Sequence, residues 1–170
     1  KSLTEVFEAL WDAGQRTLPG GGAEILSDSA RNHISPLKIS ADEWIDVVRA
    51  SHQVGFRGTA TMMYGHVETD ADIIEHLERI RNLQDEHHGF TAFVPWSFSP
   101  DHTPLGHELT NNRAGPNRYL RMLAVARLYL DNFDNVDASW FSEGKKTGQI
   151  ALQFGANDFG GTLLDENVMQ

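Results

Sequence analysis

The run Thr61-Met62-Met63-Tyr64-Gly65-His66-Val67-Glu68 closes a strand-type segment with groups suited to proton transfer. An imidazole at a strand end donates, accepts or exchanges a proton near neutrality, so His66 is a catalytic candidate, with Tyr64 beside it. Gly65 permits a tight turn. Glu68 stands just ahead of the next helix, where its carboxylate either contacts a ligand or favours the helix dipole. Upstream, Pro19-Gly20-Gly21-Gly22-Ala23-Glu24 ends an earlier strand-type segment. Consecutive glycines let backbone approach a ligand where any Cβ would clash, and Glu24 is an acceptor able to hold a ribose diol or to act in catalysis. The alternative is a flexible turn with a solvated glutamate. A phosphate cradle is disfavoured, because no Lys or Ser/Thr follows the glycines. Trp96 and Ser97 end a third such segment. Trp96 either stacks on a nucleoside-like ring or belongs to the core. Asn157 and Asp158 add polar groups near the last segment and are candidate substrate contacts. Glu86, His87 and His88 read as a polar turn, and no residue is assigned to a metal.

These groups need elements to hold them. Ser2 with Glu5, and Ser40 with Glu43, form capping boxes ahead of apolar residues at three-and-four spacing, and the runs close at Gly14 and Gly55. A third helix is predicted from Thr69 through Leu83, a fourth from about Asn117 to Tyr129, and a fifth from about Lys145 to Phe154. After each comes a strand-type run: Thr17 to Gly20, Gly58 to Met63, Thr91 to Trp96, Val136 to Phe141, and Asp158 to Thr162. Alternation of helix and strand builds a parallel α/β sheet through right-handed crossovers. In such folds ligands gather at the carboxyl ends of the strands, where Gly21 to Ser40, Tyr64 to Thr69 and Ser97 to Pro116 fall. A (β/α) barrel and an open doubly wound sheet both fit. No G-x-G-x-x-G is present, and a closed barrel would need about three further βα units.

The bulk numbers narrow the partners. The 170 residues carry a formal net charge of -10, which disfavours nucleic acid and anionic membrane surfaces. There is no cysteine, hence neither a disulfide framework nor a thiolate metal site within these residues. No apolar run approaches membrane-spanning length, and a cytoplasmic setting is the default. No initiator Met precedes Lys1, so the chain is expected to begin inside something larger.

Taken in order, these segments resemble the radical S-adenosylmethionine (SAM) enzymes of the biotin synthase and deazaflavin FO synthase group over essentially all 170 residues. Glu8 to Gly14 resembles the helix leading into the fourth barrel strand. Thr61 to Glu68 resembles the fifth-strand G-x-I-x-G-x-x-E motif, with Thr61 and Met63 replacing its first glycine and its isoleucine while Gly65 and Glu68 match. Val94 to Leu105, Leu123 to Arg127 and Gly155 to Asp158 resemble the later strands and helices. The runs Pro19 to Leu26, Ala60 to Glu68 and Gly89 to Trp96 are most similar to the cyclic dehypoxanthinyl futalosine synthases of menaquinone biosynthesis, with the aminofutalosine synthases as close rivals.

The resemblance implies a partial (β/α) TIM-type barrel, roughly strands four to eight, forming the carboxyl-terminal part of one domain. It implies SAM held by Gly21, Gly22, Glu24, Gly65 and Glu68, and a nucleoside-like substrate held by Trp96, Ser97, Asn157 and Asp158. A [4Fe-4S] cluster is implied as well. Its ligands must lie outside this chain, since three thiolates are needed and none is present. An electron donor such as flavodoxin or ferredoxin completes the expected partners. The implied reaction is reductive SAM cleavage, hydrogen abstraction from the ribose of dehypoxanthine futalosine and ring closure. By the same account the 170-residue piece alone is inactive. A non-redox βα-barrel or binding scaffold is the alternative from another class.

Overall fold

Side-chain caps start three of the longer helices, as the sequence dictates. The computed structural model describes residues 1–101, 103–109 and 114–162. Helix α1 (Leu3–Asp12) opens with Ser2 Oγ accepting the Glu5 amide while Glu5 accepts the Ser2 amide at 2.7 Å. Helix α3 (Ala41–Val54) repeats the device with Ser40 and Glu43 and ends at Gly55. Helix α4 (Asp70–His87) is capped by Thr69 and Asp72, and its chain exits through His88. Helices α6 (Pro116–Tyr129) and α8 (Lys145–Ala151) follow the fourth and fifth predictions, although α8 stops before Phe154.

Three strands, β1 (Thr17–Leu18), β2 (Arg57–Tyr64) and β3 (Phe90–Ser97), form a parallel sheet in the order β1-β2-β3. Beyond β3 the pairing continues as single parallel bridges, Phe93 to Val136 and Asp137 to Asp158. The five strand-type segments therefore lie side by side in chain order. The last two are shorter than predicted. Ser139 adopts a left-handed backbone with φ of 40°, which turns the chain into α7 (Trp140–Glu143) where a strand was expected to continue to Phe141. Two further helices occupy the long connections, α2 (Asp28–Ile34) and α5 (Pro104–Glu108). In α5 the Thr103 hydroxyl accepts the Gly106 amide at 2.9 Å and Pro104 stands in the first turn.

The alternation of β2 and β3 divides the sheet into two faces. Ala60, Met62, Tyr64 and Phe93 are fully buried and belong to one cluster with Leu77, Ile80 and Leu83 of α4 and Leu123 and Ala126 of α6. Each large side chain in that layer contributes about 1.5–3 kcal/mol of burial. Thr61 pairs with Val94, and Met63 with Trp96, on the opposite face, where Met63, Val94 and Trp96 are only half-buried. A smaller cluster of Phe7, Ala50 and Phe56, with Leu10 and Trp11 against it, joins α1 to α3. No helix among the described residues is long and apolar enough to cross a membrane.

Gly89 leads the chain into β3 past a close neighbour. A Cβ there would lie 2.2 Å from the ring of buried His52. Gly89→Ala is expected to cost roughly 1–3 kcal/mol through overpacking, read as a lowered urea midpoint with unchanged slope in the full-length protein.

Candidate functional site

At the tip of β2 the chain turns through Gly65, whose φ is +87° and whose missing Cβ would approach Ala114 Cβ to 2.9 Å. Glu68 folds back into this turn. Its side chain is fully buried, and its two oxygens accept the Gly65 amide at 2.7 Å and the His66 amide at 2.8 Å. Arg118, in the first turn of α6, donates to the same carboxylate at 2.7 Å and lies 6.0 Å from the Tyr64 ring centroid. The carboxylate is thus a clamp across the turn rather than a partner of the α4 dipole alone. His66 is equally enclosed. Its Nδ1 accepts the Val67 amide at 2.8 Å, which makes Nε2 the donor to the Met63 carbonyl at 3.0 Å. Burial lowers its pKa, against the opposing pull of Glu68 and Glu24, so the ring is held neutral.

The glycine-rich segment after β1 wraps a side chain that sequence reasoning did not single out. Arg31 of α2 is 1% exposed, and its guanidinium donates to the carbonyls of Gly22, Ala23, Ile25 and Ile39. Burial lowers its pKa, while Glu24 and Asp28 oppose that shift. Glu24 sits at φ of 47°, pairs with Lys38, and through its carbonyl accepts the Met63 amide at 2.7 Å. Gly20 is tied to β2 by the hydroxyls of Thr59 and Thr61. Gly21 and Gly22 border a groove of about 530 Å³ that also touches Lys38, Trp44 and Thr59.

The candidates separate into groups. Gly21, Gly22 and Glu24 share the glycine segment, which is fastened to β2, and Glu24 is near enough to influence the charge of His66. Gly65, His66 and Glu68 form the adjoining turn. Tyr64 is fully buried on the helix-facing side of β2, and burial raises its pKa. Ser97 is on that same side by register, and its amide donates to Glu143 at 3.1 Å. Trp96 is on the other side with Met63. Phe98 and Met63 line a separate cavity of about 340 Å³ under α2 and α5, where His33 approaches Glu108 at 3.9 Å. Asn157 is not brought to these tips. Its side chain accepts the Val136 amide and donates to the Asp134 carbonyl, at the amino end of the fourth segment. Asp158 accepts the Gly160 amide and is exposed. Arg31 and Arg118 are the groups that sequence reasoning missed. The Gly115-Pro116 helix start was the available signal for Arg118, whereas nothing local marks Arg31.

The fold and these tips can now be compared with known proteins. Residues 87–170 match the family described as the CofH/MqnC C-terminal region. That stretch is similar to the CofH/MqnC C-terminal region. It contains β3 and everything after it, so the family match takes in Trp96, Ser97 and Arg118. Similarity to curated relatives extends over nearly the whole chain. A 5-amino-6-(D-ribitylamino)uracil-L-tyrosine 4-hydroxyphenyl transferase of Methanospirillum hungatei is 48% identical over 98% of this chain and 46% of its own length. A cyclic dehypoxanthine futalosine synthase of Halalkalibacterium halodurans is 42% identical over 99% of this chain and 45% of its own. An aminodeoxyfutalosine synthase of Thermus thermophilus is also 42% identical, over 97% and 45%. The chain therefore spans about half the length of the curated relatives it matches. Both futalosine synthases to which the sequence pointed are among those relatives.

Proposed function

We propose that this chain is the carboxyl-terminal part of a radical SAM barrel domain, and that the parent enzyme cyclises dehypoxanthine futalosine in menaquinone biosynthesis. Support for the barrel comes from five parallel segments laid down in chain order, without the reversal that a doubly wound sheet requires. For SAM the residues fit: no atom lies within 4 Å of a Cβ built on Gly21, which leaves open backbone beside the acceptor Glu24. For the cluster this chain offers no thiolate, so its ligands belong to another part of the parent. When bound, SAM would supply radical chemistry. The residues of this chain bind and orient. Gly21, Gly22 and Glu24 take the polar groups of the cofactor, and Gly65 with Glu68 fixes the adjoining tip. Of the three catalytic candidates, Glu24 is the one whose side chain keeps some exposure, whereas His66 and Tyr64 support the tip from within.

The observation that carries the cyclase reading is the Met63 and Trp96 pair on the open face at the strand ends, a broad surface for a planar substrate. A second reading, the tyrosine-dependent transferase, is favoured by the 48% identity to the Methanospirillum protein. The full-length protein, reconstituted anaerobically with SAM and a reductant, separates them. Cyclised product from dehypoxanthine futalosine is expected. Product from tyrosine and 5-amino-6-(D-ribitylamino)uracil alone would transfer the assignment to the second reading, and failure to cleave SAM with either substrate would end both.

A further inference from the structure

Arg31 is a cation enclosed in protein with no carboxylate hydrogen-bonded to it among the described residues. An apolar side chain of similar size would fill that space at lower desolvation cost, so its stabilising value alone does not account for it. Its hydrogen bonds point to another role. The guanidinium gathers the carbonyls of Gly22, Ala23 and Ile25 from one segment and that of Ile39 from beyond α2, which closes the connection into a ring around it. A trans peptide carries its N–H opposite its C=O. Turning the Gly22 and Ala23 carbonyls toward Arg31 therefore turns the Ala23 and Glu24 amides away from it. Neither amide has an acceptor among the described residues; Ala23 is sealed in the core, whereas Glu24 keeps some exposure, so the Glu24 amide is the one a ligand can reach.

From this we infer that Arg31 is the positioning residue of the nucleoside-binding loop: by holding those carbonyls it presents the Glu24 amide, with the Glu24 carboxylate beside it, to a ligand whose hydroxyls both accept and donate. The vicinal diol of a ribose has that character. Glu24 at φ of 47° stays in its left-handed conformation because the carbonyls on its two sides, those of Ala23 and Ile25, are pinned by Arg31 and its own is pinned by the Met63 amide. Lysine cannot replace the fork, since one ammonium does not reach four carbonyls spread over a planar guanidinium. The inference rests on the SAM reading given above.

The test uses the full-length, cluster-reconstituted protein with Arg31→Lys and Arg31→Gln, each of which keeps part of the donor set, so that one folded variant suffices. Two quantities are read at a temperature well below unfolding: the Kd for S-adenosylhomocysteine by calorimetry, and amide hydrogen exchange over residues 20–26. A Kd weakened at least tenfold is expected, with exchange in the loop accelerated at least a hundredfold and exchange in α4 and α6 unchanged. Faster loop exchange with unaltered Kd would overturn the positioning role and leave only a structural one, and unaltered exchange would overturn it as well. If the unsubstituted protein does not bind S-adenosylhomocysteine, the SAM reading itself fails and takes this inference with it.

Discussion

Acidification from pH 6.5 to 4.5 is expected to cost the folded protein roughly 4 kcal/mol, most of it through two histidines. His76 is fully enclosed, and its Nδ1 accepts the Leu26 amide at 3.0 Å. Burial, reinforced by Arg31 and Arg79, lowers its pKa to about 3. His52 stands edge-on to Phe90, and burial, with help from His87 and Arg57, lowers it to about 4. Both would take a proton near pH 6.5 once unfolded, while the folded protein keeps them neutral until well below that. Stability is therefore whole above pH 6.5 and falls with acid at about 1.4 kcal/mol per unit for each histidine, until pH nears the folded values. Asp137, raised by burial, opposes the trend in part. Urea unfolding of the full-length apoprotein at the two pH values measures the slope. His76→Asn, which keeps an acceptor for Leu26, should remove about half of it. A flat profile would mean that these rings are not enclosed in solution.

Glu68→Ala is expected to destabilise by about 3–5 kcal/mol, because it leaves two buried amides and the Arg118 guanidinium without their acceptor. Glu68→Gln should be milder. Its one carbonyl oxygen can still serve an amide, but it offers an NH2 where an acceptor is needed and loses the charge facing Arg118. The two substitutions measured by denaturant unfolding, with Arg118→Ala alongside, form a cycle. The Glu68 and Arg118 effects should fall well short of additive, since one contact is counted in both. Full additivity would mean that Arg118, which is partly exposed, adds nothing to the clamp.

Much of this architecture was legible from local signals. The Ser2/Glu5 and Ser40/Glu43 boxes and the alternation of helix and strand fixed α1, α3, β2 and β3 to within a residue or two. They depend on short-range geometry, and the core then confirms them. The fourth segment was overextended because apolar composition does not reveal the left-handed turn at Ser139. Helices α2 and α5 were not expected, because seven and five residues are too few to show an apolar period even behind Ser27 and the Thr103-Pro104 start. Within the site, Gly65 and Glu68, which the motif singled out, share one turn. Their mutual contact was not foreseeable, because a carboxylate that folds back on its own turn has the same spacing as one that caps a helix. Tyr64 illustrates a legible point left unused. With a period of two it must share a side with Met62 and Ala60, opposite Met63. Arg31 was beyond reach, since its partners are carbonyls, which every residue carries.

Helix α1 is fastened chiefly through Phe7, Leu10 and Trp11 to Phe56 and the near side of α3, in a cluster that shares no member with the main layer. Detaching it would bare a handful of rings and leave the larger interior sealed. Helix α1 can therefore loosen from α3 as a unit of its own, below the threshold of global unfolding, without opening the larger interior.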